Sequence, residues 1–79
     1  MTFLVLGATG ATGRLLVRAL LDRGAAVRVV VRDAARLEAS IRDDPKVSIV
    51  EASITDLGEG DIRELVAGCA GAASCLGHN

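Results

Sequence analysis

Apolar residues come in short blocks separated by glycine, proline or charge clusters, and the blocks alternate in kind. Phe3-Leu4-Val5-Leu6 is a continuous apolar run stopped by Gly7, the pattern of a strand buried on both faces. From Arg14 to Arg23 the period lengthens. Leu16, Ala19, Leu20 and Arg23 recur at helical spacing, and Leu15 and Val17 widen the apolar face, which predicts an amphipathic helix. Gly24 stands where a left-handed C-terminal cap belongs. The β-branched stretch Val27–Arg32 predicts a second strand.

Asp33 is placed to cap a short helix over Ala34–Ile41, because its carboxylate can accept from exposed backbone N–H groups. Asp43-Asp44-Pro45 predicts a turn, since the residue before proline is pushed out of helical geometry. Val47–Val50 alternates as a third strand. A loop with Ser53, Thr55 and Asp56 leads into a helix over Asp61–Ala67, whose apolar stripe is Ile62, Leu65 and Val66. Gly68 ends that helix, and Ala70–Leu76 predicts a fourth strand.

The resulting order, β-α-β-α-β-α-β, demands a parallel sheet with right-handed crossovers and helices on both faces. The expected fold class is α/β, a Rossmann-type half with strands ordered 3-2-1-4 and a ligand crevice between the first and fourth strands. Residues 1–79 read as one dinucleotide-binding segment, with no linker, repeat or low-complexity tract.

Composition narrows the picture. Phe3 is the only aromatic residue among 79, so the core must be built from Val, Leu, Ile and Ala. The formal net charge is -1 and the charges are interspersed. That leaves neither a basic field for a nucleic-acid backbone nor an aromatic platform for stacking bases. No apolar run approaches the roughly 20 residues that span a bilayer, and Thr2–Leu6 is too short for a signal peptide; a cytoplasmic location is the expectation. Cys69 and Cys75 would need a second pair of ligands to hold a metal, which His78 alone does not supply. Both are expected to be buried, reduced thiols.

The candidate chemistry lies in Gly7-Ala8-Thr9-Gly10-Ala11-Thr12-Gly13. Its three glycines are spaced by three and stand between a buried strand and an amphipathic helix, the context that gives the motif its weight. Gly7 can turn the chain sharply as it leaves the strand. Gly10 lets a pyrophosphate approach the backbone. Gly13 lets the helix pack closely on the sheet. Free N–H groups of the loop and the positive end of the helix dipole then face the phosphates, so Thr9, Ala11 and Thr12 join the glycines as candidate contacts.

Leu4–Asp33, with Gly-Ala-Thr-Gly-Ala-Thr-Gly-Arg and later Arg-Gly-Ala-Ala-Val-Arg-Val-Val-Val-Arg-Asp, resembles the atypical short-chain dehydrogenase/reductase group. Its nearest members are NmrA-like proteins and NAD(P)-dependent epimerase/dehydratase relatives. The resemblance runs along essentially the whole chain but covers only the first third or so of a typical member. It implies a Rossmann fold, a nicotinamide dinucleotide, and a substrate-binding part absent from these residues. The end of the second strand bears on cofactor choice, an acid suiting a ribose 2′-hydroxyl and an arginine a 2′-phosphate. Both are present, as Arg32 followed by Asp33. In the resembling families an arginine at the position of Arg32 goes with NADP(H), so NADP is the expectation and NAD the alternative, with Arg36 a second charge one turn on. Otherwise Arg32 is a solvated arginine paired with Asp33 or Glu38.

The same resemblance implies an adenine contact at Ser53, where the family pattern has an aspartate, and packing of Ile54 on the adenine ring. Leu76 and Gly77 would line the crevice. The tyrosine–lysine catalytic pair of short-chain dehydrogenases is absent: there is no tyrosine, and the only lysine is Lys46. No catalytic residue is assigned. His78 reads either as a proton donor near the crevice or as an exposed terminal residue. Two functions remain open: the NAD(P)(H)-binding module of a reductase or epimerase-like oxidoreductase, and a non-enzymatic NADP(H) redox sensor acting through a partner. An apolar edge on the fourth strand further predicts self-association, or docking with a missing C-terminal half.

Overall fold

The computed structural model describes residues 1–53 and 57–74. Four strands, β1 (Thr2–Leu6), β2 (Ala26–Val31), β3 (Val47–Glu51) and β4 (Gly71–Ser74), form one parallel sheet ordered β3-β2-β1-β4. This is the Rossmann-type topology expected from the sequence. Register places Val5 beside Val29 and Ala73, and Val29 beside Ile49, so one face of the sheet is a continuous layer of branched and small side chains.

That face carries α1 (Ala11–Asp22), which directs Gly13, Val17 and Leu21 onto it. Val5, Val27, Val29 and Val31 meet Val17 and Leu21 in the core, and Leu37 and Ile41 close it from the chain after β2. Val5, Val17, Val29 and Ile41 have no exposed surface. Leu4 and Val30, on the opposite face, are also buried. Burial on both faces is why β1 reads as a continuous apolar run rather than an alternating one. At the sheet's other edge the ring of Phe3 lies over β4. A Cβ at Gly71 would stand 3.3 Å from two of its ring carbons, so that strand is made of small residues.

Helix α1 begins three residues before the expected Arg14. Its end follows the expectation: the N–H of Gly24 donates to Leu21 O at 2.9 Å and that of Ala25 to Leu20 O at 3.1 Å. Together they make the Schellman pair that uses the last free carbonyls. The Lys46 ammonium adds a third donor, 3.2 Å from Leu21 O, where a cation is favoured by the helix dipole.

The single helix expected over Ala34–Ile41 is instead a 3-10 turn, Ala34–Arg36, and the one-turn helix α2 (Ala39–Arg42). Between them Leu37 is extended (φ -71°, ψ 144°) and buried. An eight-residue segment has little helical stability of its own, so the inward pull on Leu37 decides the backbone. The Asp43–Pro45 turn forms as expected, with Asp44 Oδ1 accepting from the Lys46 N–H at 2.8 Å.

Helix α3 (Glu59–Val66) lies on the opposite face from α1. Its location follows from Arg28, which alternates with the core residues Val27 and Val29 and donates from Nη1 to Leu65 O at 2.5 Å. Asp61 Oδ2 accepts from the Gly58 N–H at 3.0 Å and caps the helix start. The expected stripe is only partly buried: Leu65 is half-buried, whereas Ile62 and Val66 are 47% and 38% exposed. Between α3 and the sheet lies a cavity of about 380 Å³ lined by Arg28, Val50, Leu57, Asp61, Glu64 and Leu65. Cys69, expected to be buried, is half-buried, and its thiol donates to Leu65 O at 3.4 Å; Cys75 lies outside the described residues. No helix among the described residues is long and apolar enough to cross a membrane.

Candidate functional site

The glycine loop joins the carboxyl end of β1 to the first turn of α1, and two of its three glycines are required for different reasons. Gly7 has φ 78°, a left-handed conformation that a side chain would strain. Its carbonyl accepts from the Gly10 N–H at 3.1 Å, closing the loop. Gly13 has an ordinary backbone but no room. A Cβ there would stand 2.2 Å from Gly7 O and 2.9 Å from the Ala8 Cα, both backbone atoms that cannot move aside. The sequence placed Gly13 ahead of the helix; the structure places it inside the first turn, where it sets the distance between α1 and β1.

Gly10 satisfies neither condition. Its φ is -79°, open to any residue, and a Cβ would meet only Gly7 O at an ordinary 3.6 Å. Nothing among the described residues demands a glycine there. It is the exposed N-cap of α1, with no side chain capping the helix and no acid in the first turn. The first-turn N–H groups of Ala11, Thr12 and Gly13 have no intrahelical carbonyl to bond. Thr9, Ala11 and Thr12 are exposed around them, while Ala8 is buried and plugs the loop into the core. The result is an open cradle of backbone donors at the positive end of a twelve-residue helix, a geometry suited to phosphate oxygens.

Neighbouring strands bring further candidates to the same edge of the sheet. Arg32 is the first residue past β2; it is exposed and makes no hydrogen bond or ion pair among the described residues. The pairings that would have made it a structural arginine are taken by others. Glu38 lies 3.7 Å from Arg18, and Asp33 Oδ1 accepts from the Ala35 N–H at 3.0 Å, so Asp33 is the cap that the sequence predicted. Arg14 and Arg36 are exposed. Ser53, half-buried, follows β3 by two residues. Ile54, Leu76, Gly77 and His78 lie outside the described residues.

Two features escaped the sequence reading. Glu51, the last residue of β3, accepts from the Ala34 N–H through Oε2 at 2.9 Å; its place at a strand end was visible, its partner was not. Arg28 was given no role within the second strand, yet it holds α3 and comes within 3.9 Å of Cys69 Sγ. The cavity beside Arg28 is lined by none of the glycine-loop residues and belongs to the packing of α3.

Known proteins share this sequence and fold in part. The chain is 41% identical over 71 residues to an uncharacterized chloroplastic protein of Arabidopsis thaliana, spanning 90% of this chain and 25% of that one. It is 34% identical over 76 residues to a Synechocystis sp. protein named "Putative dihydroflavonol 4-reductase", spanning 96% of this chain and 21% of that one. Among solved structures, a Lactobacillus casei protein superposes with a TM-score of 0.73 at 29% identity, over the whole of this chain and 34% of its own. An oxidoreductase from Lactococcus lactis shares the fold with a TM-score of 0.76 at 17% identity, over 99% of this chain and 33% of its own. The chain thus spans a quarter or less of the length of the curated relatives, and about a third of the solved ones. A family model described as NAD(P)H-binding matches residues 7–79, from the first glycine of the loop onward, and the chain belongs to that NAD(P)H-binding family.

Proposed function

We propose that this chain is the dinucleotide-binding part of an NADP(H)-dependent oxidoreductase of the reductase or epimerase-like type. The observation that carries the reading is Gly10. The backbone angles explain Gly7 and internal packing explains Gly13, whereas Gly10 is an exposed N-cap whose missing side chain leaves room for a group approaching from outside. In this reading the pyrophosphate lies over Gly10 and the N–H groups of Ala11, Thr12 and Gly13, with Thr9 beside it. Arg32 supports NADP over NAD, because it has no partner among the described residues and stands at the strand end with a fork of donors that suits a 2′-phosphate. Ser53 contributes an adenine contact, and Ile54, Leu76 and Gly77 complete the crevice. The bound nicotinamide would supply hydride chemistry; these residues bind and orient the dinucleotide. Substrate binding and the catalytic acid are assigned to the part of the relatives' length that this chain does not span. The free side of β4 is where that part, or a second copy, docks. A cytoplasmic location completes the reading.

The test is a titration with NADPH and NADH followed by calorimetry or nicotinamide fluorescence, which no tryptophan obscures. Wild type should bind NADPH more tightly, and Arg32→Ala should remove that preference. Gly10→Ala should weaken both cofactors by about tenfold or more at a stability cost no larger than the roughly 1 kcal/mol of an N-cap change. Gly13→Ala should lower the melting temperature itself. If Gly10→Ala binds as wild type does, the ligand explanation of that glycine is wrong. NADPH and NADH binding equally would reduce the assignment to NAD(P)(H). A partner protein captured by only one redox state would favour sensing over catalysis.

A further inference from the structure

After β2 the chain runs without regular helix to Ala39, apart from the 3-10 turn; besides the buried Leu37 and the backbone bonds of that turn, two carboxylates hold it. Asp33 Oδ1 accepts from the Ala35 N–H at 3.0 Å. Glu51 Oε2, from 17 residues further on, accepts from the Ala34 N–H at 2.9 Å. The first bond is local and moves with the loop. The second ties the loop to the sheet, because Glu51 ends β3 in register with Val31 and the next N–H, of Ala52, donates to Val31 O at 2.9 Å.

The tie has a directional consequence. With Ala34 anchored, the Asp33 carboxylate is turned back onto its own loop, and Arg32 stands free on the exposed side. Releasing Ala34 would leave the turn to pivot between the end of β2 and the buried Leu37, so that Arg32 would lose its set direction and Asp33, once its bond to the Ala35 N–H opens, could present an acceptor outward. An outward acid at this strand end suits a ribose 2′-hydroxyl, whereas an outward arginine suits a 2′-phosphate. We infer that Glu51 is a positioning residue that sets cofactor choice: it holds the turn after β2 so that Arg32, rather than Asp33, faces the 2′ position of the ribose. This inference rests on the NADP(H) reading above. Glu51 acts through the backbone of Ala34 and touches no cofactor atom.

Position and charge make opposite predictions, which keeps the inference open to test. A carboxylate near a 2′-phosphate repels it, so if charge alone mattered, both Glu51→Ala and Glu51→Gln would tighten NADPH binding. If position matters, Glu51→Gln keeps an acceptor for the Ala34 N–H and Glu51→Ala does not.

The experiment measures NADPH and NADH dissociation constants for wild type and both variants, together with amide hydrogen exchange at Ala34. Glu51→Ala should weaken NADPH by about tenfold, the scale of one charge-assisted hydrogen bond, while NADH stays within about twofold and Ala34 exchanges faster. Glu51→Gln should restore both the preference and the protection. Equal losses for the two cofactors would mark Glu51 as merely structural and overturn the inference. So would unchanged preference in Glu51→Ala, or tighter NADPH binding in both variants. A wild type that does not prefer NADPH would sink the NADP reading and this inference together. A wild-type preference that survives in Glu51→Ala would sink the inference alone.

Discussion

The two faces of the sheet are held by different means. On the α1 face, a helix with three residues fully turned inward meets a valine layer from β1 and β2, and Leu37 and Ile41 close the side. On the α3 face, Leu4 and Val30 are buried, but the helix above them buries no residue completely. It rests on a half-buried Leu65, a guanidinium hydrogen bond from Arg28 and a capping carboxylate, and a cavity of about 380 Å³ remains beneath it. Branched side chains packed without voids give non-directional stability spread over many contacts. A helix held through a few polar anchors can be released by removing one of them. The glycine loop belongs to the first kind of structure, since Gly13 and Ala8 seat it against the α1 core. In the proposed function, a loop that must hold its N–H groups in fixed directions toward a phosphate stands on the rigid face.

Three substitutions would sharpen or break this contrast. The largest effect is expected from Ile41→Ala, which leaves a void where a fully buried side chain stood. A loss of about 2–5 kcal/mol is expected, read from urea unfolding by circular dichroism because the chain has no tryptophan or tyrosine. A loss well under about 1 kcal/mol would show that the α1 core is less closely packed than described. Arg28→Ala comes next. It removes the donor to Leu65 O at a half-exposed site, so a global cost of about 1 kcal/mol is expected. Hydrogen exchange should speed up across Glu59–Val66 while Val17 and Leu21 stay protected, and uniform acceleration of both helices would mean that the two faces unfold as one. The smallest effect is expected from Ile62→Ser, within about 0.5 kcal/mol, because the side chain is already 47% exposed and surface changes rarely exceed that range. A cost like that of Ile41→Ala would reveal a partner, or more of the protein, covering α3.

How much was legible follows the same division. Strands β1, β2 and β3 were visible to within a residue or two, because burial on two faces leaves a continuous apolar signature in β1, β2 is β-branched and β3 alternates. The Gly24 and Gly68 stops were visible because a helix end exposes carbonyls that need a special partner. The start of α1 was misplaced, since Gly13 has poor helix propensity and only its contact with Gly7 O shows why it sits inside the first turn. The helix after β2 was drawn whole because Ala34–Ile41 contains good helix formers. The break at Leu37 comes from a tertiary preference that outweighs a few tenths of a kcal/mol per residue.

By itself the sequence determined the order of elements, the parallel sheet they require, and the loop whose glycine spacing marks a dinucleotide site. Each of these depends on chain-local quantities: hydrophobic period, backbone freedom and the chirality of crossovers. Which glycine serves the fold and which faces outward was decided only in three dimensions, by the 2.2 Å against 3.6 Å at which a Cβ added to Gly13 or to Gly10 would stand from the same carbonyl. The tie from Glu51 to Ala34, the turning of Asp33 away from Arg32 and the polar suspension of α3 were decided there too. Each joins residues far apart along the chain or turns on the direction of a single bond, and periodicity carries no information about either.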